Sequence, residues 1–155
     1  MSNIIFINGC FDVLHVGHFN FLNYCFWVKK QLNLELHIGL DSDTKICLDK
    51  GPDRPIFNYL EREKALKLLV IPDRLLGTPM VDYVHKFQNN KELEKIVQSL
   101  QPQIMVKGEE WENKVVGKEF CKKVLFYPTS ICPLSSSIVI KRILEMNSNE
   151  NPSMR

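Results

Sequence analysis

The sequence has no run of roughly 20 apolar residues, the length a helix needs to cross a bilayer. Its longest apolar stretch, residues 19–28, is broken by Asn20 and Asn23. The first apolar run, residues 4–7, is too short for a secretory signal and has no basic flank. No two of the five cysteines (Cys10, Cys25, Cys47, Cys121 and Cys132) form a CxxC pair, and their number is odd. The expectation is a cytoplasmic protein with reduced, packed thiols and no membrane partner. No sign of charge prevails either: 20 basic and 18 acidic side chains leave a net charge of +2. Nucleic-acid binders carry a clear basic excess or stripe, so nucleic acid is not an expected partner. Any anion must be held by a local site. The Lys29–Lys30 and Lys122–Lys123 pairs read as solvated faces. Internal repeats and low-complexity segments are missing as well.

What is present suits one domain. The chain has 155 residues, 45% of them hydrophobic and 25% charged, enough to bury a core without disulfides or metal. We place that domain at residues 1–146 and expect a frayed polar tail at 147–155. Residues 4–7 form a continuous apolar run ending in Asn8-Gly9, which predicts a buried parallel strand breaking into a turn. Helical spacing follows over 17–31, then a strand over 34–40 and a polar segment over 41–55. A helix is predicted over 60–70, ended by Pro72, with a weak strand over 81–84 and a helix over 91–100. Strands over 103–106 and 124–127 and a helix over 135–146 complete the series. The alternation implies an α/β, Rossmann-like domain with a mainly parallel sheet and helices on both faces. Ligands of such sheets bind beyond the carboxyl ends of the strands.

The string Asn8-Gly9-Cys10-Phe11-Asp12-Val13-Leu14-His15-Val16-Gly17-His18 follows directly on the first strand. His15 and His18 are three residues apart and project on one side once the helix starts. Free amides and the dipole at a helix N-terminus favour an anion there. Two imidazoles in that place can donate to phosphate oxygens and to charge that develops as a phosphoanhydride breaks. The same pair with Cys10 could also be read as zinc ligands, but no familiar zinc spacing surrounds it and no metal site is assigned. His37 and His85 have no comparable context.

This string resembles the signature of the cytidylyltransferase-like nucleotidyltransferases. That superfamily includes glycerol-3-phosphate and choline-phosphate cytidylyltransferases and the bacterial heptose 1-phosphate adenylyltransferases. The resemblance implies that His15 and His18 bind the triphosphate and stabilise the transition state. It also implies that Gly9, Cys10, Phe11, Asp12 and Gly17 line the nucleotide. Lys50-Gly51-Pro52-Asp53-Arg54-Pro55, with Arg62 eight residues beyond Arg54, is similar to the KGxxRP loop of the heptose enzymes. Lys50 is assigned to catalysis, and Lys45, Lys50, Arg54 and Arg62 to substrate phosphates. The family often has lysine where this chain has Cys47, so Lys45 or Lys50 must serve instead.

Val106-Lys107-Gly108 resembles the heptose enzymes, whereas Gly108-Glu109-Glu110-Trp111 is closer to the GDDW string of the glycerol-3-phosphate enzymes. Lys107, Gly108 and Trp111 are expected at the nucleoside, and Ser135, Ser136 and Ser137 at its phosphates. Pro133 or Leu134 occupies the place of a family glycine before those serines. Residues 71–80 look like an insertion relative to the heptose enzymes.

Together these motifs predict transfer of a nucleoside monophosphate from a triphosphate to a sugar or polyol phosphate, heptose-type adenylyl transfer before glycerol-phosphate-type cytidylyl transfer. A catalytically silent nucleotide-binding protein is the alternative of another class. Magnesium is expected to arrive on the nucleotide. The apolar residues Phe19, Phe21, Phe26, Trp27 and Val28 of the first helix predict a homodimer.

Overall fold

The computed structural model describes residues 2–72 and 77–150. Its centre is a parallel five-stranded sheet of order β5-β2-β1-β6-β7, formed by β1 (Ile4–Gly9), β2 (Glu35–Asp41), β5 (Tyr83–Phe87), β6 (Ile104–Gly108) and β7 (Lys123–Tyr127). The period-2 alternation of β1 explains the two cores. Ile5 and Ile7 pack on one face with Leu22, Cys25 and Phe26, while Ile4 and Phe6 pack on the other with Leu93 and Val97. The first face is covered by α1 (Val16–Leu32) and the second by α4 (Asn90–Leu100). Both faces are therefore dry, which is why β1 and β6 read as unbroken apolar runs. All five cysteines are free thiols, and burial pushes the Cys25 thiol well up from its ordinary value. Among the described residues no helix is long and apolar enough to cross a membrane.

Three elements depart from the sequence expectation. The polar segment after β2 contains a helix, α2 (Asp43–Lys50), capped by the Ser42 hydroxyl, which accepts from the Lys45 amide. It buries only Ile46, so it shows almost no apolar period. The helix expected over 60–70 is α3 (Tyr59–Lys67), and Val70 and Ile71 instead form β3, paired antiparallel with β4 (Thr78–Pro79). The final helix, α5 (Ser136–Glu150), runs past Met146, where the sequence reading had placed its end. Residues 73–76 of the expected insertion and 151–155 of the expected tail lie outside the described residues.

Candidate functional site

The chain turns from β1 to β2 on one side and reaches β6 and β7 on the other, so the switch point lies at the carboxyl end of β1. A crevice of about 1360 Å³ opens there. It is lined by the β1–α1 loop, by α2, and by the segments that follow β5, β6 and β7.

The β1–α1 loop is held in an uncommon shape. Phe11 and Val13 have φ of 44° and 50°, the left-handed region that bulky and β-branched residues avoid. Asp12 stabilises the turn from beneath: its carboxylate accepts from the amides of Ile56 (2.9 Å) and Phe57 (3.0 Å) and from Arg54 Nε (3.0 Å). Burial alone would raise the Asp12 carboxyl, but these donors outweigh it and hold it below the ordinary carboxylate range.

His15 caps α1, its Nδ1 accepting from the Gly17 amide at 3.1 Å. That bond leaves the ring proton of the neutral form on Nε2. His15 Nε2 and His18 Nδ1 are buried and have no protein partner. The two rings lie 3.9 Å apart. Gly17 is needed beside them, since a Cβ there would sit 3.0 Å from the His15 ring and 3.1 Å from the Leu134 carbonyl. Burial, then the charges of His15 and Lys50, depress His18 to about 3. Burial lowers His15 too. Both rings are neutral donors at physiological pH, and two unsatisfied polar atoms beside a helix N-terminus mark an anion site.

Two lysines share the crevice with the pair. Exposed Lys50 reaches over to Cys10, Nζ to Sγ 3.1 Å. Lys107 is buried at the end of β6, donates to Asn8 Oδ1 at 3.0 Å and lies 5.2 Å over the Trp111 ring. Burial brings Lys107 down to about 8, partly opposed by the carboxylates of Asp41 and Glu110. Gly9, Cys10, Phe11, Gly108, Trp111, Ser135 and Ser136 also line the crevice. Trp111 is 47% exposed.

The other assigned residues divide between the crevice and the loops beneath it. Arg62 is 1% exposed and donates to the carbonyls of Phe57, Cys10 and Asp41 and to Asp43 Oδ1. It braces the loops beneath the crevice and does not line the cavity itself. Arg54 turns inward onto Asp12 and Ser137 Oγ, so its guanidinium is engaged internally, and neither Asp12, Arg54 nor Ser137 lines the crevice. Lys45 is shared between Asp41 (3.6 Å) and Asp49 (2.5 Å). The three serines divide their work. Ser135 accepts from the Ile138 amide, buried Ser136 donates to the Asp12 carbonyl, and Ser137 accepts from Arg54. The sequence assigns no site role to Asn8, Asp41 or the Gln88–Asn90 segment, all at the crevice. Polar residues directly after apolar strands were the available signal.

Among the described residues no three His, Cys, Asp or Glu side chains are grouped to hold a metal ion, so Cys10, His15 and His18 form no three-ligand cluster.

Known proteins extend these observations. The chain is 39% identical to the bifunctional protein HldE of Helicobacter hepaticus over 125 residues, 80% of this chain and 23% of that one. It is 36% identical to HldE of Helicobacter pylori strain Shi470 over 143 residues, 92% of this chain and 28% of the relative. With HldE of Sulfurimonas denitrificans it shares 35% over 124 residues, 79% of this chain and 23% of the relative. The chain thus spans about a quarter of the length of the curated relatives it matches. The family model described as cytidylyltransferase-like matches residues 6–142, and with that match and this crevice the chain belongs to the cytidylyltransferase-like family.

Proposed function

We propose that the chain transfers a nucleoside monophosphate from a triphosphate to a sugar phosphate, releasing pyrophosphate, as a heptose 1-phosphate adenylyltransferase does. The observation that carries this reading is the pair of buried, unpartnered imidazole nitrogens at the start of α1, with Lys50 and Lys107 lining the same crevice. The Lys50–Pro55 loop, Val106-Lys107-Gly108 and the HldE relatives support the heptose-type, ATP-using form.

A phosphate oxygen of the acceptor attacks the α-phosphorus in line, and pyrophosphate leaves on the opposite side. A phosphate monoester is already anionic near pH 7, so the chain need not supply a strong base. Its residues position and neutralise. His15 Nε2–H and His18 donate to the phosphoryl oxygens, and Lys50 and Lys107 offset the charge that develops. Trp111 covers the base or ribose, and Gly9, Gly108 and Ser135 allow close approach of the phosphates. Magnesium would come with the nucleotide and keep several of its waters, and when bound would neutralise phosphate charge. We also place the protein in the cytoplasm as a homodimer. Phe19 (43% exposed) and Trp27 (56%) support the dimer, whereas Phe26 belongs to the core.

Pyrophosphate release with ATP and CTP against heptose, hexose and glycerol phosphates tests the function. Turnover of ATP with a sugar phosphate supports it. Tight triphosphate binding without turnover of any acceptor supports the silent nucleotide binder instead.

A further inference from the structure

We propose that the arm of the crevice beyond β2 and β5 holds the hydroxylated body of the acceptor, with Asp41 and Asp49 accepting from its hydroxyls and the amides of Gln88 and Asn90 completing the set. The proposal rests on the transferase reading and adds the residues that select the acceptor.

The sheet order separates two arms. The segments after β5 and β2 lie on one side of β1, and those after β6 and β7 on the other. Four steps between neighbouring strands span roughly 19 Å. The crevice of about 1360 Å³ exceeds the roughly 300–1,000 Å³ of a pocket for one small ligand. It has room for two substrates side by side.

The arms differ in chemistry. Beyond β6 and β7, Glu109 accepts from the Ser130 amide and Glu110 from the Thr129 hydroxyl, and Lys107 and Lys114, which line the crevice with them, offset their two charges. What that arm offers is Lys107 and the face of Trp111, which suits a nucleotide. Beyond β2, Lys45 is balanced by two carboxylates, so Asp41, Lys45 and Asp49 together carry a net negative charge. Such a trio repels phosphate and accepts from hydroxyls. Beyond β5, capping of α4 is done by Asn89, which accepts from the Glu92 amide at 3.0 Å, and by Glu92, which accepts from the Gln88 amide at 2.7 Å. The side-chain amides of Gln88 and Asn90 are left with no protein hydrogen bond among the described residues, and both line the crevice. An amide both donates and accepts, and a carboxylate accepts, which matches the two-way hydrogen bonding of sugar hydroxyls. The acceptor's phosphate then points to the centre, toward Lys50 and the two histidines.

The test is calorimetric titration of a hexose or heptose phosphate, and in parallel of a plain alkyl phosphate, into the full chain holding a non-hydrolysable triphosphate. We expect Asp41→Asn to weaken sugar phosphate binding about 10–100-fold, the range for losing a hydrogen bond to a charged group, and alkyl phosphate binding less than twofold. Asn90→Ala, an exposed change that leaves the α4 cap in place, should weaken the sugar phosphate about 2–10-fold. Equal sugar phosphate affinity in the parent and both variants overturns the subsite. Equal losses for the two phosphates overturn it also, because they mean a deformed crevice. Failure of the transferase reading shows separately, as absent pyrophosphate release in the parent protein.

Discussion

Arg54 closes on Asp12, with Nε at 3.0 Å and Nη2 at 2.9 Å from the same carboxylate oxygen, and Asp12 is fully buried. The pair ties the 51–58 loop to the back of the histidine turn, and Ser137 joins α5 to it at 3.4 Å from Arg54. Three segments far apart in sequence meet on one guanidinium. Removing one partner of a buried pair leaves an uncompensated charge, which costs about 3–5 kcal/mol. Arg54→Ala should therefore lower the melting temperature of the protein without any substrate. A parent-like melt combined with a raised acceptor KM would restore Arg54 to the phosphate.

His18→Ala tests the transition-state role. Loss of one such donor lowers turnover about 10²–10³-fold. Binding of a non-hydrolysable triphosphate should change much less, because the ring serves charge that develops during transfer. An unchanged turnover number removes the imidazoles from the mechanism.

The same burial makes folding sensitive to mild acid. All four histidines sit below their ordinary value of 6.5, each with burial as the largest cause. His37 Nδ1 and His85 Nε2 lie 2.9 Å apart across β2 and β5, and each is further affected by charged neighbours. Below pH 6.5 the unfolded chain takes up protons that these rings refuse in the fold, so stability falls as pH falls. Melts from pH 7.5 to 5 should show this loss starting near 6.5, well above the carboxylate range. Asp12 acts at lower pH: its depressed carboxyl stabilises the fold above about 4 and is lost as pH drops further. A flat profile between 7.5 and 5 contradicts the burial of the histidines.

The sheet and the histidine turn were legible because their signals are local. Residues 4–7 announce β1 through an apolar run, and Gly9 to His18 carry a ten-residue motif on a strand-turn-helix junction. What spacing does not carry is direction. Spacing brought Arg54 and Arg62 close to the crevice, but their guanidinium groups turn to Asp12 and to the Cys10 and Asp41 carbonyls, contacts 42, 52 and 21 residues away. The α2 helix hid for another reason: one buried residue, Ile46, leaves no period to read. Gln88 and Asn90 reach the crevice only through the parallel pairing of β5 with β2, a long-range fact.

Trp111 offers a handle on the base. Its exposed ring, with the Lys107 ammonium 5.2 Å from the centroid, is placed to stack on a base or ribose. Trp111→Ala should weaken triphosphate binding by about 1–3 kcal/mol, by comparison with base stacking in single-strand binders. Parent-like affinity in calorimetry returns the ring to a packing role.

Lys107 is expected to set an alkaline limit. Burial is the main cause that brings it to about 8, and no salt bridge holds its charge; its polar partner is the neutral Asn8 amide at 3.0 Å. Below pH 8 it is charged and attracts the triphosphate. Above pH 8 it loses the proton, so kcat/KM for the nucleotide, which reports the free protein, should fall with rising pH. Once the triphosphate is bound, its negative charge favours the ammonium, so kcat should hold to higher pH than kcat/KM. Lys107→Met should remove the alkaline limb and lower the plateau about 10–100-fold, the loss of one charge-assisted contact. Steady-state kinetics from pH 6.5 to 9.5 on both proteins check this. If the limb persists in Lys107→Met, another group titrates there, and Lys107 does not meet the nucleotide phosphates as a cation.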